Sequence, residues 1–139
     1  MAEGIEIRCL CGAVRARLTE EPTLQFYCHC DDCQAASGGA YVLLAIFPAH
    51  ALKVTQGETA TWVVRTLPRE RCAICGTQMF TKLPGQGICV VKGNLLPKAT
   101  RRPRFHMQCR YALAPVKDGL LHYKAVPACF GGTDEAVGW

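Results

Sequence analysis

The chain has 139 residues, half of them hydrophobic, which fits one domain with a packed core and leaves little room for a second. No run approaches the roughly eighteen apolar residues of a membrane helix, and the longest apolar stretch, 41–47, has the length of a buried strand. The formal charge of +5 counts cysteines as neutral; with seven thiolates on two Zn²⁺ it falls to about +2, so nucleic acid is not the expected partner.

The opening Met-Ala-Glu-Gly-Ile-Glu has neither a basic nor an apolar leader region, so no secretory signal is expected and the expected compartment is the cytosol. Ile5-Glu6-Ile7-Arg8-Cys9 and Val14-Arg15-Ala16-Arg17-Leu18 alternate as strands, with Gly12 turning between them. Strand 24–27 leads into a cysteine cluster, a turn of helix is expected over 31–37, and strand 41–47 follows. After a helical turn at 49–52, strands 52–55 and 61–64 flank Gln56-Gly57-Glu58, which reads as a hairpin turn. Segments 78–81 and 88–92 read as a further pair around 83–87. Weaker strands are expected at 105–108 and 121–124, with Trp62 in the core and the tail 131–139 loosely held. The expected fold class is mainly β, with several short antiparallel sheets stapled by zinc and very little helix, in one domain over 1–139.

Ten cysteines would suggest a disulfide scaffold in a secreted chain, but reducing cytosol favours metal binding or catalysis. Cys9-Leu-Cys11, Cys28-His-Cys30-Asp-Asp-Cys33 and Cys72-Ala-Ile-Cys75 are tight clusters, whereas Cys89, Cys109 and Cys129 stand alone. Residues i and i+2 of a strand share a face, so Cys9 and Cys11 can present two sulfurs to one ion. Cys72-x-x-Cys75-Gly76 is a knuckle that turns two more inward, giving a closed set suited to structural zinc. Cys28, Cys30 and Cys33 supply only three thiolates, which leaves the open position of a catalytic zinc with a preference for a soft fourth ligand such as a thiol. His29, His50, His106 or His122 are alternative fourth ligands, and spacing also allows Cys9 and Cys11 to pair with Cys30 and Cys33.

The order of these motifs resembles the glutathione-dependent formaldehyde-activating enzyme family, which includes the centromere protein V relatives. The matching pieces are Cys9-Leu-Cys11-Gly12; Cys28-His-Cys30-Asp-Asp-Cys33 with Ser37-Gly38-Gly39-Ala40; Val54-Thr55-Gln56-Gly57; and Cys72-Ala-Ile-Cys75-Gly76-Thr77. Gly93-Asn94-Leu95, His106-Met107 and Asp118-Gly119-Leu120 fit as well. The resemblance implies an Mss4-like fold, structural zinc on Cys9, Cys11, Cys72 and Cys75, and catalytic zinc on Cys28, Cys30 and Cys33. It also implies a carbon–sulfur lyase that forms S-(hydroxymethyl)glutathione from glutathione and formaldehyde. The chain departs from the family pattern at Gln34-Ala35-Ala36, where a basic residue is common, and at Cys109-Arg110-Tyr111-Ala112, where tryptophan is usual.

Lesser candidates are Arg69, Arg71, Arg101 and Arg104 as partners of glutathione carboxylates, His106 as a proton relay, and the backbone amides of Ser37, Gly38 and Gly39. Cys89 reads as a buried small hydrophobe. The basic segment 98–110, with Lys98, Arg101, Arg102, Arg104 and Arg110, is expected to be a solvated loop. A non-catalytic zinc module touching nucleic acid or protein through that segment is the alternative to an enzyme, and a thiol sensor built on the middle cluster is a third reading.

Overall fold

A computed structural model of the chain describes residues 4–139. The leader expectation falls partly on residues 1–3, which lie outside them. The described strands are β1 (Ile5–Arg8), β2 (Arg15–Leu18), β3 (Leu24–Cys28), β4 (Val42–Pro48), β5 (Leu52–Gln56) and β6 (Thr59–Val64). They continue with β7 (Leu67–Cys72), β8 (Gln78–Leu83), β9 (Ile88–Lys92), β10 (Phe105–Met107) and β11 (Leu121–His122), and the described residues hold one α-helix, α1 (Asp31–Ser37). The protein is mainly β, as the sequence predicts. The described residues divide into two compact units, one comprising 4–24 with 45–101, the other 25–44 with 102–139.

In the first unit, β1, β2 and β5 form an antiparallel sheet with β2 in the middle. Ile5 and Ile7 face in while Glu6 and Arg8 face out, as the alternation requires. The strands β9, β8, β7 and β6 form a second antiparallel ladder in that order. Ile5, Ile7, Leu18, Phe47, Met79 and Phe80 pack into one fully buried cluster. Burial of each large side chain contributes about 1.5–3 kcal/mol, so this unit has an apolar core besides its cysteines.

Three expectations are corrected here. Gln56-Gly57-Glu58 does not close a hairpin, because β5 pairs with β2 whereas β6 pairs with β7. Gly57 has φ +82°, and a Cβ there would sit 2.1 Å from the Ala13 carbonyl oxygen, so the glycine lets the chain leaving β5 pass close to the segment entering β2. Strand β7 was not expected, since Pro68, Arg69, Glu70 and Arg71 interrupt the apolar pattern; pairing with β6 and β8 holds it extended instead. Trp62 is 54% exposed beside exposed Val63, not in the core.

In the second unit, β10 lies between β3 and β11 and runs parallel to both, with Met107 opposite Cys28 and His106 opposite Tyr27 and His122. The uniformly antiparallel pattern expected from short strands fails here, because no tight turn joins these partners. Phe26 stacks on Phe105 at 5.3 Å, and Phe130 meets both edge-on. The tail 131–139 carries regular bonds: Lys124 N–H donates to Glu135 C=O, Val137 N–H donates to His122 C=O, and Tyr123 bridges Ala136.

Candidate metal centres

Cys9, Cys11, Cys72 and Cys75 converge, although up to 66 positions separate them in sequence, and their sulfurs lie within 4.8 Å of one another. Cys9 Sγ is 3.6 Å from Cys11 Sγ, and Cys11 Sγ is 3.8 Å from Cys72 Sγ. Tetrahedral zinc with bonds of about 2.3 Å requires sulfurs about 3.8 Å apart, which these two separations match. Each pair sits in a tight turn: Gly12 N–H donates to Cys9 C=O, and Gly76 N–H donates to Cys72 C=O. Gly76 holds φ +77°, the left-handed geometry that the knuckle demands.

Backbone amides point at the sulfurs. Val14 N–H donates to Cys9 Sγ at 3.2 Å, and Ile74 and Cys75 N–H donate to Cys72 Sγ at 3.4 Å. Burial pushes the Cys9 thiol up, but the Val14 amide and the Cys11 and Cys72 thiols outweigh it and bring it below its ordinary value. The Thr77 hydroxyl and amide hold Cys75 down at about 5. Cys11 goes the other way, to about 11, because burial and the three neighbouring thiols outweigh the Ala13 amide. The tips of the turns, Leu10 and Ile74, are 93% and 79% exposed.

Cys28, Cys30 and Cys33 form a second group within 4.8 Å, and among the described residues no fourth side chain joins it. Among the described residues Cys9 and Cys11 group with Cys72 and Cys75, and Cys30 and Cys33 group with Cys28. Cys28 ends β3, and Cys30 is the N-cap of α1, with its Sγ accepting from Cys33 N–H at 3.3 Å. Asp31 and Asp32 occupy the first helical turn, where the helix dipole favours them. Cys28 and Cys33 are buried and Cys30 is half-buried, so Cys30 faces the approach to this set. The neighbouring thiols Cys30 and Cys33, together with burial, push the Cys28 thiol far up. Three thiols so crowded lose their protons together only with a cation among them, which is the chemistry of a metal-binding set. None of the ten cysteines forms a disulfide.

His29 does not join its neighbours Cys28 and Cys30. Alternation along the chain turns Tyr27 and His29 to the opposite face from Cys28 and Cys30. There His29 Nε2 lies 2.8 Å from His106 Nδ1, and His106 Nε2 lies 2.5 Å from Asp118 Oδ2. His122 Nε2 is 3.1 Å from Asp118 Oδ1. Tyr27 stacks on His106, Tyr41 on His29, and Trp139 meets His122 at 5.0 Å. Burial, reinforced by His106 and His122, lowers His29 to about 4, so it is neutral at ordinary pH. Burial raises the Asp118 carboxyl, but the His106 hydrogen bond outweighs it and keeps the group below its usual range. His50 pairs instead with Glu20 on the surface.

The remaining candidates are placed as follows. Arg69 is buried in β7, Arg71 lies over the Trp62 ring, and Arg101 donates to the carbonyls of Leu96 and Asn94. Arg101, Lys98 and Arg8 line an open cleft of about 710 Å³ that Cys9 and Thr77 also border in the first unit. Arg104 is exposed in the second unit, where Arg110 covers the Tyr111 ring. Ser37 Oγ accepts from Gly39 N–H and donates to Cys33 C=O, and Gly38 caps α1 in the left-handed conformation. Cys89 is buried as expected, and burial raises both Cys89 and Cys109 to about 11. The network around Asp118 was only partly expected, through His106; one sequence signal for it is the recurrence of His106, Asp118 and His122 at i, i+12 and i+16.

The family model described as glutathione-dependent formaldehyde-activating enzyme matches residues 4–111. A Penicillium rubens protein provisionally named for glutathione-dependent formaldehyde activation is 27% identical over 112 residues, 73% of this chain. The chain spans 59% of that relative's length. The crystal structure of a Rhodobacter sphaeroides protein superimposes with a TM-score of 0.54 at 20% identity, over 67% of this chain and 88% of that one, a likeness of fold. With the family model covering most of its length, the chain belongs to the glutathione-dependent formaldehyde-activating enzyme family.

Proposed function

We propose that the protein is a zinc-dependent carbon–sulfur lyase that joins a small thiol, glutathione in the first instance, to formaldehyde. In this reading Cys9, Cys11, Cys72 and Cys75 hold a structural zinc, and Cys28, Cys30 and Cys33 hold a catalytic one. The observation that carries it is the contrast between a four-thiol set and a three-thiol set with no fourth side chain among the described residues. Zinc on the three-thiol set would supply Lewis acidity at one remaining position, which suits a soft donor and lowers the pKa of a thiol placed there.

The chain's own groups prepare that position. The Cys33 amide, donating to Cys30 Sγ, stabilises the half-buried thiolate and fixes its direction. Gln34 Nε2 donates to the carbonyls of His29 and Tyr111, which holds the start of α1 against the 109–111 turn. In the reaction the thiol gives up its proton, its sulfur lone pair forms the C–S bond, and the carbonyl oxygen takes the π electrons and a proton. No group leaves. The product is the S-hydroxymethyl hemithioacetal, and the reverse reaction releases formaldehyde. Family membership supports the pairing of glutathione with formaldehyde.

The test is NMR exchange spectroscopy of formaldehyde, glutathione and their adduct with protein whose zinc has been counted. Exchange should accelerate with the wild-type protein and fall by about 100-fold or more in Cys30→Ser. No acceleration from protein holding two zincs per chain would reject the reaction and leave a non-catalytic zinc module as the reading.

A further inference from the structure

We propose that His106, Asp118 and His122 form a third metal site, for a divalent first-row transition ion, separate from both cysteine sets. The ligand atoms of these three residues lie within 4.8 Å of one another. His106 is 0% exposed and His122 4%, whereas the Asp118 side chain is 30% exposed and gives an ion its way in. The two imidazoles stack at 4.6 Å between ring centres and turn both Nε2 atoms toward the one carboxylate, each beside a different oxygen.

A hydrogen-bonded cluster alone leaves part of this unexplained. His122 Nε2 is buried beside Asp118 Oδ1 but is not aligned to donate to it, and forms no hydrogen bond. A buried imidazole nitrogen without a partner has lost its hydration with nothing in return, and an ion accepting its lone pair removes that cost. His106 has the support that metal-bound histidines have: its far nitrogen, Nδ1, is held at 2.8 Å by His29 Nε2. With a metal on Nε2, His106 carries its proton on Nδ1 and donates to His29.

The donor set defines the ligand. Two neutral imidazoles and one carboxylate are harder than thiolates and together carry a single negative charge, a match for a divalent ion of the iron-to-zinc series. Three protein ligands leave further positions open. The site lies across β3 and β10 from Cys28, since Tyr27, His29 and His106 share the face that Cys28 and Cys30 do not.

Trp139 supplies the readout, because its ring lies 5.0 Å from His122. In a Trp62→Phe background it is the sole tryptophan, as the chain has two. Co²⁺ is added to protein already holding two zincs. One equivalent should quench Trp139 saturably and give weak ligand-field bands without sulfur-to-cobalt charge transfer. His122→Ala and Asp118→Asn should each weaken binding by at least about tenfold while the zinc count stays at two. If His122→Ala does not fold, His122→Gln and the exposed-side change Asp118→Asn carry the comparison. Absence of a third equivalent, quenching unchanged by both substitutions, or cobalt bands of sulfur character would each overturn the proposal.

Discussion

The two cysteine sets are built from the same side chain, yet the chain arranges them for opposite ends. The four-thiol set draws on two turns far apart in sequence, takes amide hydrogen bonds on Cys9 and Cys72, and holds Cys75 at about 5. The three-thiol set comes from six consecutive residues, has one described amide on Cys30, and crowds Cys28 until its thiol resists ionisation. In the proposed reading, closure across the chain makes a staple, and convergence within one short segment leaves room for a reactant. Long-range closure links metal binding to folding, whereas local closure can be lost with the fold intact.

The largest effect expected from this contrast is on stability. Cys72→Ser should abolish cooperative folding of the first unit, because structural zinc contributes on the order of 10 kcal/mol, comparable to a small domain's whole stability. Far-UV circular dichroism and amide NMR dispersion would show it. Cys30→Ser should instead keep dispersed spectra and lose one zinc. If both variants unfold alike, the division between staple and working site is wrong.

A second, smaller difference lies in pH. Metal binding needs thiolates, so a thiol whose pKa lies above the working pH must release a proton as metal enters. Apparent affinity then falls about tenfold per pH unit of acidification for each such thiol. Cys28 is raised and meets this penalty throughout. Cys75, at about 5, meets none until the pH nears that value, and Cys9 is also lowered, although Cys11 at about 11 offsets part of the gain. Cys11 loses affinity per pH unit as Cys28 does, so the ordering rests also on the three-thiol set having one thiolate fewer. On acidification from about pH 7.5 to 5.5, a colorimetric chelator should take zinc from the three-thiol set first. Release from the four-thiol set first would contradict the ordering.

The smallest effect concerns the two departures from the family pattern, which meet in space: Gln34 Nε2 donates to Tyr111 C=O at 2.9 Å and to His29 C=O at 2.8 Å. Gln34→Ala should cost about 0.5–1.5 kcal/mol in a denaturant titration, as two partly solvated carbonyls lose their donor. It should not change the zinc count.

Much of this contrast was legible in the sequence. Spacing alone brought out the three clusters, and α1 and β9 fall where expected because local pattern decides them. What local pattern cannot carry is pairing between distant segments. The β5–β6 turn looks like a hairpin until β2 claims β5, and β7 is a strand by pairing although its residues are charged. His29 was a candidate zinc ligand from its position between two cysteines, yet side-chain alternation sends it to His106, 77 positions away. Trp62 read as core because it is large and aromatic, but it lies on an outward-facing stretch of β6, where Arg71 covers it.

The most direct test is cadmium-113 NMR of the cadmium-substituted protein, titrated with glutathione. Two signals in the thiolate range are expected, one indifferent to glutathione and one that moves as a fourth sulfur arrives. Cys30→Ser should remove only the signal that moves. Two signals that both ignore glutathione, or a single thiolate signal in the intact protein, would contradict the division into a closed staple and an open working site.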